Sequence, residues 1–201
     1  MDYFKRALSI YKKEYGERNQ RVALCLSNIG IAWNKLGDLK KAMDNFEKAL
    51  SIDKEVSGEK HPDTAIDLGA IGSLCIELGD PKKAADYLKQ ALSIFKEVYG
   101  GRHPKVATTL HNIGMTWDTL GDHKKSLDYY EQALSITKEV YGDRHPNVAI
   151  TLNTIGTAWD ELGDPKKAMD YFEKTPSINK EFYGERHPEV ARDLNNICSA
   201  W

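Results

Sequence analysis

Glycine recurs at a 42-residue spacing through the whole chain of 201 residues, as Gly37, Gly79, Gly121 and Gly163 and again as Gly16, Gly58, Gly100, Gly142 and Gly184. A fixed period of this length marks stacked supersecondary units, none of which can bury its apolar face without a neighbour. Such an array predicts an extended binding surface rather than an enclosed active site.

Within one unit, Leu26, Ile29, Gly30, Trp33 and Leu36 fall on one stripe of a 3.6-residue helix, here called helix A. After Leu36-Gly37-Asp38 a second stripe, helix B, runs through Ala42, Phe46, Ala49, Leu50, Ile52 and Val56 to Gly58. Gly37 can supply the left-handed residue that closes helix A, and Asp38 can cap the amides that open helix B. Pro81 and Pro165 enter just inside a helix B, where a missing amide costs nothing. His-Pro pairs such as His61-Pro62 and His145-Pro146 follow the other glycine and open each new helix A. The columns hold from unit to unit: Leu26, Leu68, Leu110, Leu152 and Leu194 form one, and Ile29, Ile71, Ile113, Ile155 and Ile197 the next. Gly30, Gly72, Gly114 and Gly156 are small enough to let helix A approach helix B at Ala42, Ala84, Ser126 and Ala168.

This order of Leu, Ile-Gly, Trp, Leu-Gly-Asp, then Ala, aromatic and Ala resembles the tetratricopeptide repeat, a helix-turn-helix unit of about 34 residues. The added length lies after Ala49, Ala91 and Ala133 as Leu-Ser-Ile-x-Lys-Glu-Val-Tyr-Gly before His-Pro, a form similar to the repeats of kinesin light chain and nephrocystin-3-like proteins. The resemblance implies an all-α fold, a right-handed superhelical α-solenoid of antiparallel helix pairs. It divides a single array, residues 1–201, into a partial unit at 1–19, units at 20–61, 62–103, 104–145 and 146–187, and a partial unit at 188–201.

In tetratricopeptide arrays helix A lines a concave groove, and the resemblance carries that role onto Ser27, Asn28, Ile31, Asn34, Gly69, Ser73 and Ile76, beside Leu24 and Ile66. In later units the matching positions are His111, Asn112, Met115, Asp118, Asn153, Thr157, Asp160, Asn195 and Asn196, beside Thr108 and Ile150. An asparagine amide can donate to and accept from one peptide backbone unit, so Asn28, Asn112 and Asn196 suit an extended peptide. Changing neighbours, such as Ile31, Met115, Asp118 and Asp160, would then set specificity. Leu24, Ile66, Thr108 and Ile150 stand where a clamp for a C-terminal carboxylate would want lysine, and only Arg192 near Asn196 keeps that pairing. Glu77, Asp118, Asp160 and Glu161 likewise depart from a groove favouring acidic peptides.

The other chemistry-bearing residues have structural readings. His61, His103, His145 and His187 lie one repeat apart, too far to share an ion, so no metal is expected. Trp33, Trp117, Trp159 and Trp201 belong to the apolar stripe, and the Lys-Lys pairs opening each complete helix B read as a solvated face. No phosphate loop, nucleophile elbow or repeated carboxylate pair is present, so neither a catalytic residue nor a cofactor is expected. The formal charge of -2 gives no general pull toward nucleic acid or an anionic membrane. Three separated cysteines fit a reducing compartment, and with no spanning or leader-like segment the expected location is the cytoplasm. Pro176, standing where other units have leucine, predicts a kink near residues 172 to 176.

The expected function is a non-enzymatic adaptor for a protein or peptide partner. A second expectation follows from the phase of the array, which starts within a helix B and stops within a helix A: head-to-tail association of terminal helices into a homo-oligomer. A third is that the array is one module of a multidomain protein.

Overall fold

The computed structural model describes residues 2–200, which contain no strand. Backbone contacts gather into two units, Met1–Gly100 and Gly101–Trp201. The first comprises α1 (Asp2–Tyr15), α2 (Gln20–Lys35), α3 (Leu39–Val56), α4 (Pro62–Glu77) and α5 (Pro81–Tyr99). There α2 packs on α3 and α4 on α5, while α1 lies against α2 and α3 against α4. Two apolar clusters result, one of Val22, Ala23, Leu26 and Ala49 and one around Phe46, Ile71, Leu74 and Ala84.

The second unit holds α6 (Pro104–Thr119), α7 (His123–Tyr141), α8 (Pro146–Glu161), α9 (Pro165–Phe172), α10 (Thr175–Tyr183) and α11 (Pro188–Ser199). Here α6 pairs with α7, and α8 packs on α7, α9 and α10. Leu127, Tyr130, Ile155 and Ala158 form one cluster, and Val148, Ala149, Leu152 and Ile178 another.

The helix boundaries carry the expected chemistry. Asp38, Asp80, Asp122 and Asp164 accept from the backbone N–H three residues on, at 3.1, 3.2, 3.2 and 3.1 Å. The four His-Pro histidines do the same for helix A, each Nδ1 accepting from the N–H two residues on at 3.1 or 3.2 Å. Gly37 sits at φ 79°, a left-handed conformation in which a side chain would be strained.

The lysine pairs are exposed, as the sequence reading expects, and some make a further contact. The second lysine of three pairs lies over an indole ring, Lys41 on Trp33 at 4.2 Å, Lys125 on Trp117 at 4.4 Å and Lys167 on Trp159 at 3.9 Å. The same ammonium groups reach Asp38, Asp122 and Asp164, so each cap is tied to the helix-A aromatic by one side chain. In the remaining unit Cys75 replaces the tryptophan and Lys83 has the aspartate bridge to Asp80 at 3.1 Å. Trp201 lies outside the described residues.

The last helix B is divided between α9 and α10 at Glu173 and Lys174, within the stretch where Pro176 predicts a kink. Proline cannot donate to the Phe172 carbonyl, and that carbonyl instead accepts from Thr175 Oγ1 at 3.0 Å. Thr175 occupies the column of Ala49, Ala91 and Ala133, so the hydroxyl accompanies the proline it compensates. Pro176→Leu is expected to join the two helices and add about 1–2 kcal/mol, less than the roughly 3 kcal/mol cost of an uncompensated interior proline. Thermal melting with far-ultraviolet circular dichroism checks this, and an unchanged or lowered midpoint contradicts it.

Candidate functional site

In the first unit the exposed side of α2 and α4, with the end of α3, encloses a cavity of about 360 Å³. Leu24 and Ile66 contribute apolar walls, and Ser27, Asp53, Asp63 and Asp67 line the rest with Gln20 and Arg21. Asp53 and Asp67 are only 4% and 2% exposed. Ser27 Oγ donates to Asp67 Oδ1 at 2.6 Å, while among the described residues Asp67 Oδ2 and Asp53 Oδ1 have no donor except, when one of them is protonated, each other. Burial, reinforced by the charge of Asp53, pushes the Asp67 carboxyl up to about 7, and burial with the charge of Asp63 raises Asp53 as well. Near neutral pH the two carboxyls share a proton that neither would keep in water.

The second unit holds a cavity of about 180 Å³ in the same register, two repeats further along. Thr137, Asn147 and Thr151 stand there in place of Asp53, Asp63 and Asp67, and His111 in place of Ser27. Burial lowers the His111 pKa against the pull of Asp118, which favours a neutral ring, packed 5.1 Å from that of Tyr130.

A wider cavity of about 580 Å³ in this unit brings together Asp118, Asn153, Thr157 and Asn196, joined by Glu161 and Arg192. Asn153 is 6% exposed and held on both sides of its amide. Its Nδ2 donates to Asp193 Oδ1 at 2.6 Å, and its Oδ1 accepts from Asn196 Nδ2 at 3.3 Å. Asn179 Nδ2 donates to the other Asp193 oxygen at 2.7 Å, so this buried carboxylate has an amide for each oxygen. Asp118 accepts from Tyr130 Oη at 2.6 Å, and His123 Nδ1 lies 3.2 Å from Asp118 Oδ1 and 3.1 Å from Glu161 Oε2. One imidazole nitrogen and two carboxylate oxygens within 4.8 Å of one another are donors that a divalent transition ion can use.

Ile76 is half-buried against the Phe46 cluster, and Asn153, which lines the wider cavity, has its amide hydrogen-bonded to Asp193 and Asn196. Ile31 and Met115 are 47% and 42% exposed, Asn28 and Asn112 are half-buried, and Asp160 and Asn195 are exposed. Asn34 Nδ2 donates to Glu77 Oε1 at 3.1 Å, Ser73 Oγ to the Gly69 carbonyl at 3.0 Å, and Thr157 Oγ1 to the Asn153 carbonyl at 3.1 Å. The aspartates Asp53, Asp63 and Asp67 are absent from the sequence-derived set. Their signal is Asp53 in a column otherwise filled by Tyr11, Phe95, Thr137 and Asn179, a carboxylate on the buried stripe of helix B.

Capped antiparallel helix pairs, packed consecutively, define an α-solenoid of repeated units. The sequence profile described as Tetratricopeptide repeat matches residues 2–55, 27–97, 87–138 and 118–178, and the chain belongs to that family. The crystal structure of BtubC (BKLC) from P. vanneervenii is similar at TM-score 0.85 and 22% identity, over 99% of this chain and 80% of that one. A Podosopora anserina putative kinesin light chain with nearly identical TPR-like repeats is similar at TM-score 0.78 and 15% identity, over 90% and 86% of the two chains. The apo form of RapI is similar at TM-score 0.75 and 17% identity, over 99% of this chain and 53% of that one. No curated protein matches the chain. Membership of this repeat family makes the chain a protein-interaction scaffold in general terms. No helix of the described residues is long and apolar enough to cross a membrane.

Proposed function

We propose that each unit binds an extended peptide segment of a protein partner along the exposed face of its A helices. The observation that carries this reading is the recurrence of large apolar side chains in water at fixed columns of that face. Leu24, Ile66 and Ile150 are 64%, 42% and 46% exposed in one column, and Ile31 and Met115 share another. Side chains two helical turns apart, such as Leu24 and Ile31, lie on one side of α2 and form a track rather than scattered exposure. Half-buried Asn28 and Asn112 lie beside that track, where their amides can hold a peptide backbone.

The test is capture of a random nonapeptide library by the native chain and by a variant carrying Asn28→Ala, Ile31→Ser, Asn112→Ala and Met115→Ser. All four sites lie outside the buried clusters, so the variant is expected to keep its helix content and lose about tenfold or more in capture. Undiminished capture by a folded variant removes the groove from the account.

A further inference from the structure

Among the described residues no lysine or arginine pairs with the three aspartates at the α2–α4 cavity. We infer that this cavity is a subsite for a primary ammonium on an alkyl stem, a lysine side chain of the bound partner. The inference rests on the groove reading above and specifies one position within it.

The chemistry follows from the cavity's two parts. Leu24 and Ile66 offer apolar walls to a four-carbon stem, and the carboxyls of Asp53, Asp63 and Asp67 offer acceptors to the group at its end. The one basic side chain at the rim is turned to other work: Arg21 Nη1 donates to Tyr15 Oη at 3.0 Å, and its guanidinium lies 4.7 Å from the centre of that ring. Asp63 accepts from the neutral Gln20 amide at 2.5 Å, and His61, 3.5 Å away, has its Nδ1 occupied by the Asp63 N–H.

The second unit supplies the comparison. Its cavity has the same register and retains Ile150, yet neutral Thr137, Asn147 and Thr151 replace all three acids. Carboxylates are therefore not needed to build this pocket. Where a buried carboxylate does serve packing, at Asp193, the chain supplies two asparagine amides to its oxygens. Asp53 and Asp67 lack those donors, and an entering ammonium provides them while displacing the shared proton.

Three pools of acetylated, amidated nonapeptides, random except for a central lysine, Nε-acetyl-lysine or norleucine, test the assignment by capture on the immobilised full chain. At pH 8 the lysine pool is expected to exceed the other two by about tenfold, the ratio for one additional ion-paired hydrogen bond of about 1.4 kcal/mol. At pH 6, where Asp67 holds its proton against the surrounding Asp53, Asp63, His61 and Arg21, the preference is expected to shrink. Substituting the second unit's residues, Asp53→Thr, Asp63→Asn and Asp67→Thr together, is expected to bring the three pools level while norleucine capture persists. Asp53→Asn alone, which copies Asn179 beside Asp193, is expected to reduce the preference in a chain that stays folded. Equal capture of all pools by the native chain, or an undiminished lysine preference in either variant, overturns the lysine subsite and leaves the groove standing. Capture of no pool overturns both.

Discussion

Gly114→Ala is expected to destabilise the second unit by about 3 kcal/mol, at the upper end of the usual range for overpacking a filled core. A Cβ at this position would collide with the ring of Tyr130, which is 1% exposed and anchored through its hydroxyl to Asp118 at 2.6 Å. The ring can yield only by losing that bond or by displacing Ile155 and Ala158 in the same cluster. Gly156 meets Phe172 in the same way, with a Cβ at 2.5 Å from the ring. Gly69 is the control, since it lies in a helix with open space where its Cβ would be. Alanine there is expected to leave stability unchanged or raise it by up to about 1 kcal/mol through helix propensity. Urea denaturation of the three proteins checks the contrast, and equal midpoints for Gly114→Ala and the native chain would remove the close-approach account.

Asp53→Asn is expected to stabilise the protein at pH 8 by about 2 kcal/mol while changing it little at pH 5. In the native chain the Asp67 carboxyl titrates at about 7, against 3.8 for a free aspartate, because it is buried beside Asp53. The folded state therefore holds more protons than the unfolded state between roughly pH 4 and pH 7, and stability falls as pH rises through that interval. Asparagine at 53 removes the like charge and places an amide donor on Asp67, the arrangement Asn179 makes with Asp193 at 2.7 Å. The variant should lose the part of the decline between pH 5 and 8 that comes from Asp53, while burial of Asp67 keeps the remainder, which for a chain this long means a melting point roughly 5 °C higher at the alkaline end. Parallel pH profiles for the two proteins would show that the carboxyl pair is not the source.

Much of the helix-pair architecture was legible because its signals are local. Asp38 announces a cap from sequence neighbours alone, and Gly30 facing Phe46 is readable once the period is known. Pro176 marked the broken helix, although only the structure shows Thr175 taking over the stranded carbonyl. The site was less legible because it depends on which polar residues meet. Asp53 and Asp67 lie on different helices and acquire their character from burial against each other, which no spacing reveals. Asn153 reads as a peptide-binding amide, and only the fold shows it hydrogen-bonded to Asp193, forty residues on. The lysine pairs form the solvated face that the sequence suggests, and what spacing does not reveal is that the ammonium groups of Lys41, Lys125 and Lys167 lie over an indole while reaching the cap aspartate.

The shared register of the acidic and neutral cavities also bears on how such a chain can diversify. Because corresponding residues line both, the pocket belongs to the junction of neighbouring repeats rather than to one location, and adding a repeat adds a further junction with walls from both neighbours. Later exchange of a few side chains, aspartate for threonine or asparagine, can then alter what that junction accepts without disturbing the glycine, leucine and isoleucine columns that hold the helices together. Length and surface variety can thus grow by the same event, with each added unit lengthening the array and opening one more position to independent change.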